Sequence, residues 1–231
     1  MEIQGLNDIL IWMYDKDGKV VTDENTGFKF DGNKGKTYDQ NNKEIPGIYK
    51  MDLESVYGVT QANINGLAPS VQRVYGSNFV AEVNAGTEQP TMAIAANDVP
   101  HIIYDLLTGL GKDKFGGYAR KGKSQPRTGG VIAHSYNPHT DTDFYFAFPM
   151  GVFVPGELNM QTNNENPNEV HDALTLNAQA RGTDRLLYEK FYSDEKDFDF
   201  GNMVRFISGQ DTVDATASNK QATTAGGTPI K

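Results

Sequence analysis

The sequence predicts a mainly β protein (α+β by strict class), a β-sandwich or barrel flanked by one amphipathic helix at about residues 98–109. Three observations carry this. Apolar and polar residues alternate with a period of two in several separate runs, the signature of half-buried strands. Gly reaches 24 of 231 residues and hydrophobic residues only 38%, with Asn, Asp and Thr gathered between the runs, as many turns joining short strands require. The stretch 97–111, NDVPHIIYDLLTGLG, has helical spacing instead.

Taken in order, Ile9 to Tyr14 and Lys19 to Val21 flank Asp17-Gly18, and an Asp-Gly pair between apolar runs predicts a β-hairpin because both positions tolerate positive φ. The acidic spacing of DKDGK resembles a calcium loop only superficially, since no glutamate closes it at the required distance. From Asp23 to Tyr57 the chain is polar and interrupted, too long for an ordinary connection. It reads as a disordered stretch or as an arm whose aromatics, Phe28, Phe30, Tyr38 and Tyr49, are buried against another subunit.

Between Val71 and Asn84, the residues Val71, Tyr75, Phe79, Ala81 and Val83 are expected on one half-buried face of a strand or hairpin, with Gly76 at a bend. Thr91 to Ala96 continues as a strand of small residues. In the helix, Val99, Ile102, Ile103, Leu106, Leu107 and Leu110 form the apolar stripe. Asn97 or Asp98 can cap it, Pro100 suits the first turn, and Gly109 or Gly111 permits a left-handed exit. A single stripe needs a single surface, so the helix should pack across a sheet and close the open side of the sandwich. His101 reads as solvated or capping.

Lys112 to Gly130 is the one basic segment, read as a solvated loop, although Phe115 and Tyr118 within it could stack on single-stranded nucleic acid. DFYFAFPMGVFV (143–154) is an aromatic strand turned by Pro155-Gly156, and Glu157 to Gln161 can return. A polar loop, TNNENPNEV, leads to an alternating strand from Ala173 to Arg181 with one wet face. LLYEKFY, an acidic patch and a final short element follow. These elements make one domain over 1–210, the polar arm at about 23–57 included, and the Ala-, Thr-, Ser- and Gly-rich residues 211–231 read as a flexible C-terminal tail.

The chain has no cysteine, so thiolate chemistry and disulfides are excluded. No apolar run approaches the roughly 20 residues of a membrane span, and the start, MEIQGLNDIL, lacks a basic-then-apolar signal pattern, so neither insertion nor export is expected. Net charge is −9, a field that repels a phosphate backbone.

No nucleophile elbow, phosphate loop, dinucleotide fingerprint or zinc helix is present. The nearest constellation is NPHTDTD, where His139, Asp141 and Asp143, joined by His134 or His171, have the chemistry of metal ligands. The same residues are also ordinary turn formers. Asp194, Glu195, Asp197 and Asp199 read as a solvated face. No catalytic, cofactor-binding or metal residue is assigned, and no cofactor is expected.

The ordered elements resemble the major tail (tail-tube) proteins of long-tailed siphophages infecting Gram-positive bacteria. The resemblance runs from the Asp17-Gly18 hairpin through TMAIAANDVPHIIYDLLTGL to DFYFAFPMGVFVPGELNMQTNNENPNEVHDALTLNAQARGTDRLLYEKFY, covering about residues 1–210. It implies a tail-tube β-sandwich with one flanking helix on the outer side of the sheet that lines a channel. It further implies hexameric rings whose edge strands join into a barrel, stacked into a tube that conducts DNA at ejection. The implied partners are further copies of the chain, the tape-measure protein and the tail-end proteins, with genomic DNA passing through unbound. The implied location is the virion tail, reached by assembly in the host cytoplasm, and no enzymatic activity is implied. The 23–57 stretch is longer than this pattern suggests, and no immunoglobulin-like extension follows Gln210. Six copies at −9 each carry −54 in all, which would keep DNA off the wall. The polar sides of 72–84 and 175–181 are candidate lumen surfaces. Two other readings stand beside this one: a carbohydrate- or receptor-binding β-sandwich using aromatics such as Trp12 and Tyr118, and a metal-dependent hydrolase built on His139.

Overall fold

The computed structural model describes residues 4–69, 71–76, 78–120, 122, 126–156 and 172–210. In chain order the elements are β1 (Gln4–Met13), β2 (Lys36–Tyr38), β3 (Glu44–Met51), α1 (Leu53–Val56), β4 (Val59–Asn65), β5 (Val71–Gly76), β6 (Phe79–Ala85) and β7 (Thr91–Ala96). They continue with α2 (His101–Leu107), β8 (Gly111–Lys112), β9 (Tyr118–Ala119), β10 (Thr128–Asn137), β11 (Thr142–Pro155), β12 (Asp172–Ala178), β13 (Glu189–Tyr192) and α3 (Phe200–Ser208).

One antiparallel sheet runs β2-β3-β1-β10-β11-β12-β7-β4, with β13 also paired to β11. The 14-residue β11 organises it. Its first half, Phe144 to Ala147, pairs with β13, while its second half, Gly151 to Pro155, pairs with β12. Between these halves the register against β10 slips at Gly129/Val131. Pro149 sits at that irregularity, where a missing N–H costs no ladder bond. The strand thus belongs to two layers, and β4 comes to lie against β1.

The central strands are buried on both faces. Ile9, Ile11 and Met13 of β1 join Phe144, Phe146, Phe148, Leu174 and Leu176 in the core between the layers. Leu10, Trp12 and Tyr14 turn the other way, onto a second core under α3. This explains why ILIWMY and DFYFAFPM read as near-continuous apolar runs.

The expected helix is present but shorter, His101–Leu107, with Ile103 and Leu107 buried in the inter-layer core. It therefore closes the open side of the sandwich, as a single stripe demands. Neither Asn97 nor Asp98 caps it: Pro100 is the N-cap without a side-chain bond, and the Asn97 amide donates to the Tyr57 carbonyl at 2.8 Å. Gly109, at φ 81, provides the exit. It is also not the one helix. The final element after the acidic patch is α3, capped by Asp199, whose carboxylate accepts from the Asn202 amide, and ended by Gly209 at φ 72. Met203, Val204 and Ile207 of α3 are buried, and each such side chain contributes about 1.5–3 kcal/mol.

The stretch 23–57 departs from the expected arm. It forms β2, β3 and α1, and it buries Phe28 and Tyr49 in the chain's own core. Its partner is α3, which it grips at both ends. The Gly201 amide donates to Gln40 Oε1 at 3.0 Å, the Arg205 guanidinium donates to Asp39 at 2.7 Å, and the Gln210 amide donates to the Pro46 carbonyl at 2.7 Å. Polar composition therefore reflects tethering as well as solvation.

At the Asp17-Gly18 turn the chain does reverse, but over a longer loop than a two-residue hairpin. Asp15 Oδ1 accepts from the amides of Asp17 and Lys19, and the return is a single bridge, Tyr14 to Val20. The return after Pro155-Gly156, the TNNENPNEV loop and residues 211–231 lie outside the described residues.

Candidate functional site

Of the residues with metal-ligand chemistry, the structure brings His134 and Asp143 together and gives Asp141 and the His139 amide other partners. Asn137 Oδ1 accepts from the His139 amide, the turn role available to Asn. Asp141, at φ 53, accepts from the Tyr136 hydroxyl at 2.6 Å. His171 lies outside the described residues. Among the described residues no group of three His, Cys, Asp or Glu side chains is placed to hold a metal ion.

His134 lies instead between two carboxylates, with Nδ1 3.1 Å from Asp8 Oδ2 and Nε2 3.0 Å from Asp143 Oδ1. Its ring stacks on Tyr145 at 4.5 Å, and Lys50 approaches Asp8 at 3.5 Å. Asp8, His134 and Asp143 come from β1, β10 and β11, so the histidine cross-links the three central strands. Burial works against its charged form, but the hydrogen bonds and charges of Asp8 and then Asp143 outweigh it, and the His134 pKa is raised above 6.5.

A raised folded-state pKa means that the folded protein holds this proton more tightly than the unfolded chain does. The stabilisation is complete below the unfolded value, about 6.5, and is lost as pH rises through the higher folded value. Urea unfolding of wild type and His134→Gln across pH 5.5 to 9 should show this loss in wild type alone. Parallel pH curves for the two proteins would refute the assignment.

The aromatics offered for a carbohydrate- or receptor-binding surface do not form one. Trp12 is fully buried, a correction that follows from β1 lying at the centre of the sheet. Tyr118 is half-buried and set edge-on to His101 at 5.7 Å. Part of the basic segment, 112–130, forms the small β8-β9 hairpin and then enters β10.

Arg181 is a second correction. Expected on the wet side of the 173–181 strand, it is 8% exposed. It lies beyond β12, donates to the carbonyls of Phe206 and Ile207 at 2.8 and 2.9 Å and pairs with Asp184. The alternation itself holds through β12, where Leu174 and Leu176 are buried.

Among the described residues, three outward surfaces bear on assembly. The first is the outer face of β12-β7-β4, where register sets residues in three cross-strand rows: Ala173, Ala95 and Gln61; Thr175, Ala93 and Asn63; Asn177, Thr91 and Asn65. The rows between them, Leu174, Ile94 and Ala62 and then Leu176, Met92 and Ile64, face the core. The outer rows hold no charged side chain and nothing larger than Gln. Such a face can hydrogen-bond water but offers a phosphate no cation.

The second is the β5-β6 hairpin, inserted between β4 and β7. The strand or hairpin expected at 71–84 is there, but as an exposed element: Tyr75 is 65% and Phe79 77% exposed. Gly76 pairs with Phe79 across a turn carrying Asn78 at φ 66. A register shift between Val74 and Tyr75 moves Phe79 away from its expected companions. Val71, Arg73, Tyr75 and Val83 share one face, and Val74, Phe79 and Glu82 share the other. Exposed apolar residues gathered on one element are the kind of surface that interaction sites use.

The third is the sheet margins. β4 and β2 end the sheet and β13 ends its branch from β11, and each terminal strand leaves a row of backbone groups free to pair with another chain.

No helix among the described residues is long and apolar enough to cross a membrane. No curated protein sequence matches the chain significantly. A family model does: that of the phage tail tube proteins, over residues 1–216. With a mainly β fold, open sheet margins and a match spanning nearly its whole length, the chain belongs to the phage tail tube protein family, structural components of the virion tail.

Proposed function

We propose that the chain forms hexameric rings by pairing its open sheet margins, and that the rings stack into the tail tube of a siphophage of Gram-positive bacteria. The uncharged outer face of β12-β7-β4 lines the bore through which the genome leaves at ejection. The observation that carries this reading is that face. It is built by strict register, it is free of charge, and it ends at the unpaired edge of β4. An anionic particle keeps DNA from settling anywhere on it, while a neutral lining keeps DNA from being held locally.

In this reading α2 packs behind the lining strands, residues 211–231 reach beyond the 1–210 domain to neighbouring subunits, and the tape-measure and tail-end proteins meet the tube within the virion. The protein works without catalysis, after assembly in the host cytoplasm.

Negative-stain electron microscopy of concentrated protein tests the assembly, with hollow tubes of uniform width expected. A single-chain species at every concentration would overturn it. The lining is tested by Asn63→Lys with Asn177→Lys, two exposed positions separated by β7. Tubes should still form, but they should retain short DNA duplexes in a steeply salt-dependent manner, whereas wild-type tubes retain none. Equal retention by both would place the bore elsewhere.

A further inference from the structure

On the side of the molecule covered by α3 lies an open groove of about 450 Å³, lined by Phe191, Phe198, Met203 and Phe206, with Asp197 and Asn202 at its rim. Its walls are packed against the body of the chain. Phe198 stacks on Tyr145 at 5.5 Å, Phe206 lies over the Arg181 guanidinium, and Met203 is buried. A preformed aromatic groove with a carboxylate at its edge suits an apolar side chain that has a cation beside it.

One face of the β5-β6 hairpin carries that pair of features. Val71, Tyr75 and Val83 are all more than half exposed, and Arg73 stands between Val71 and Tyr75 while Glu82 points to the opposite face. Among the described residues, Val71, Arg73, Tyr75 and Val83 are exposed and the groove is open, so neither surface covers the other within one molecule. Residues 211–231 contain no aromatic residue and few large apolar ones, which makes them a poor filling.

We propose that the hairpin of one copy docks into the α3 groove of a second, with Tyr75 seated among Phe191, Phe198 and Phe206 and Arg73 against Asp197. The contact is heterologous. Each docked pair leaves one hairpin and one groove unused, so the interaction propagates from copy to copy. It also sets a cation against a carboxylate where two chains of charge −9 approach. The inference rests on reading the protein as self-assembling and assigns one of its joints.

The absence of cysteine permits a direct test. Chains carrying only Val83→Cys are mixed with chains carrying only Asn202→Cys and treated with a short bismaleimide. Cross-linked dimer is expected in the mixture, well above the level in either chain alone. Tyr75→Ala in the hairpin donor should lower the yield about tenfold. Arg73→Glu and Asp197→Lys should each lower it about threefold, and the exchanged pair should restore it. Because Arg73, Tyr75 and Asp197 are exposed, these variants fold.

Wild-type tubes without cross-linking in the mixture would overturn the docking and leave the tube intact. Cross-linking without any ring or tube would support the docking and overturn the ring. Yields unmoved by Tyr75→Ala, or not restored by the charge exchange, would also overturn it.

Discussion

Arg181→Ala is expected to destabilise the protein by about 2 kcal/mol, the cost of removing a buried guanidinium and its charge-assisted hydrogen bonds. The guanidinium occupies a junction that no other group can fill. Nε and Nη2 meet the two oxygens of Asp184 at 3.1 and 2.5 Å, while Nη1 donates to the carbonyls of Phe206 and Ile207. Those carbonyls belong to the last turn of α3, which carries partial negative charge, and that of Phe206 also accepts from the Gly209 amide. The pair is felt at Asp184 too, where the Arg181 hydrogen bonds hold the carboxyl below its usual range. Removing the side chain takes its donor from the Ile207 carbonyl and the cation from Asp184, while Phe206 keeps the Gly209 amide and Asp184 the Leu186 amide.

Lysine should not rescue, because one ammonium cannot address a carboxylate with two bonds and reach two carbonyls. Urea midpoints of Arg181→Ala, Arg181→Lys and Asp184→Asn measure this, with protease sensitivity at α3 as a local reporter. A loss below 1 kcal/mol for alanine, or full recovery with lysine, would contradict the account.

Gly130→Val should cost at least about 3 kcal/mol, at the severe end of overpacking. Propensity argues the other way, since valine favours strands and glycine weakens them. Space decides. Gly130 stands directly opposite Trp12 in the β1-β10 ladder. A Cβ there would overlap the Trp12 indole and stand 2.6 Å from the carbonyl oxygens of Phe148 and Pro149. The indole could shift only by disturbing the core under α3, and the carbonyls are backbone.

Trp12→Leu should recover part of the loss in a Gly130→Ala background, because the two positions share one volume. Trp12 is the one tryptophan in the chain, so its fluorescence reports the site directly. A Gly130→Val protein with wild-type emission and midpoint would refute the packing argument.

These two residues also show what could be read without coordinates. β1 and β11, which flank the strand of Gly130, were legible from the runs ILIWMY and DFYFAFPMGVFV, whereas β10 itself was not, its start lying in a segment read as a basic loop. The hairpin at 71–85 was legible as an element, but its exposure was not: period two reports two faces and does not say whether anything covers them. The helix α3 was legible only as a short final element, although Asp199, the Met203, Val204 and Ile207 spacing, and Gly209 form a complete start, stripe and stop. An acidic run in front of it drew attention to solvent.

By itself the sequence determined the fold class, several of the strands, the helix that closes the sandwich and the resemblance to tail-tube proteins, because all of these follow from local periodicity and turn chemistry. Only the tertiary structure decided that 23–57 belongs to the body, that Arg181 is an internal cap, and which strand faces form an uncharged surface. Those outcomes depend on partners some 160 residues apart, such as Asp39 with Arg205 and Gln40 with Gly201, and on cross-strand register. A local pattern carries neither, since hydrogen bonds and packing act across space while periodicity acts along the chain.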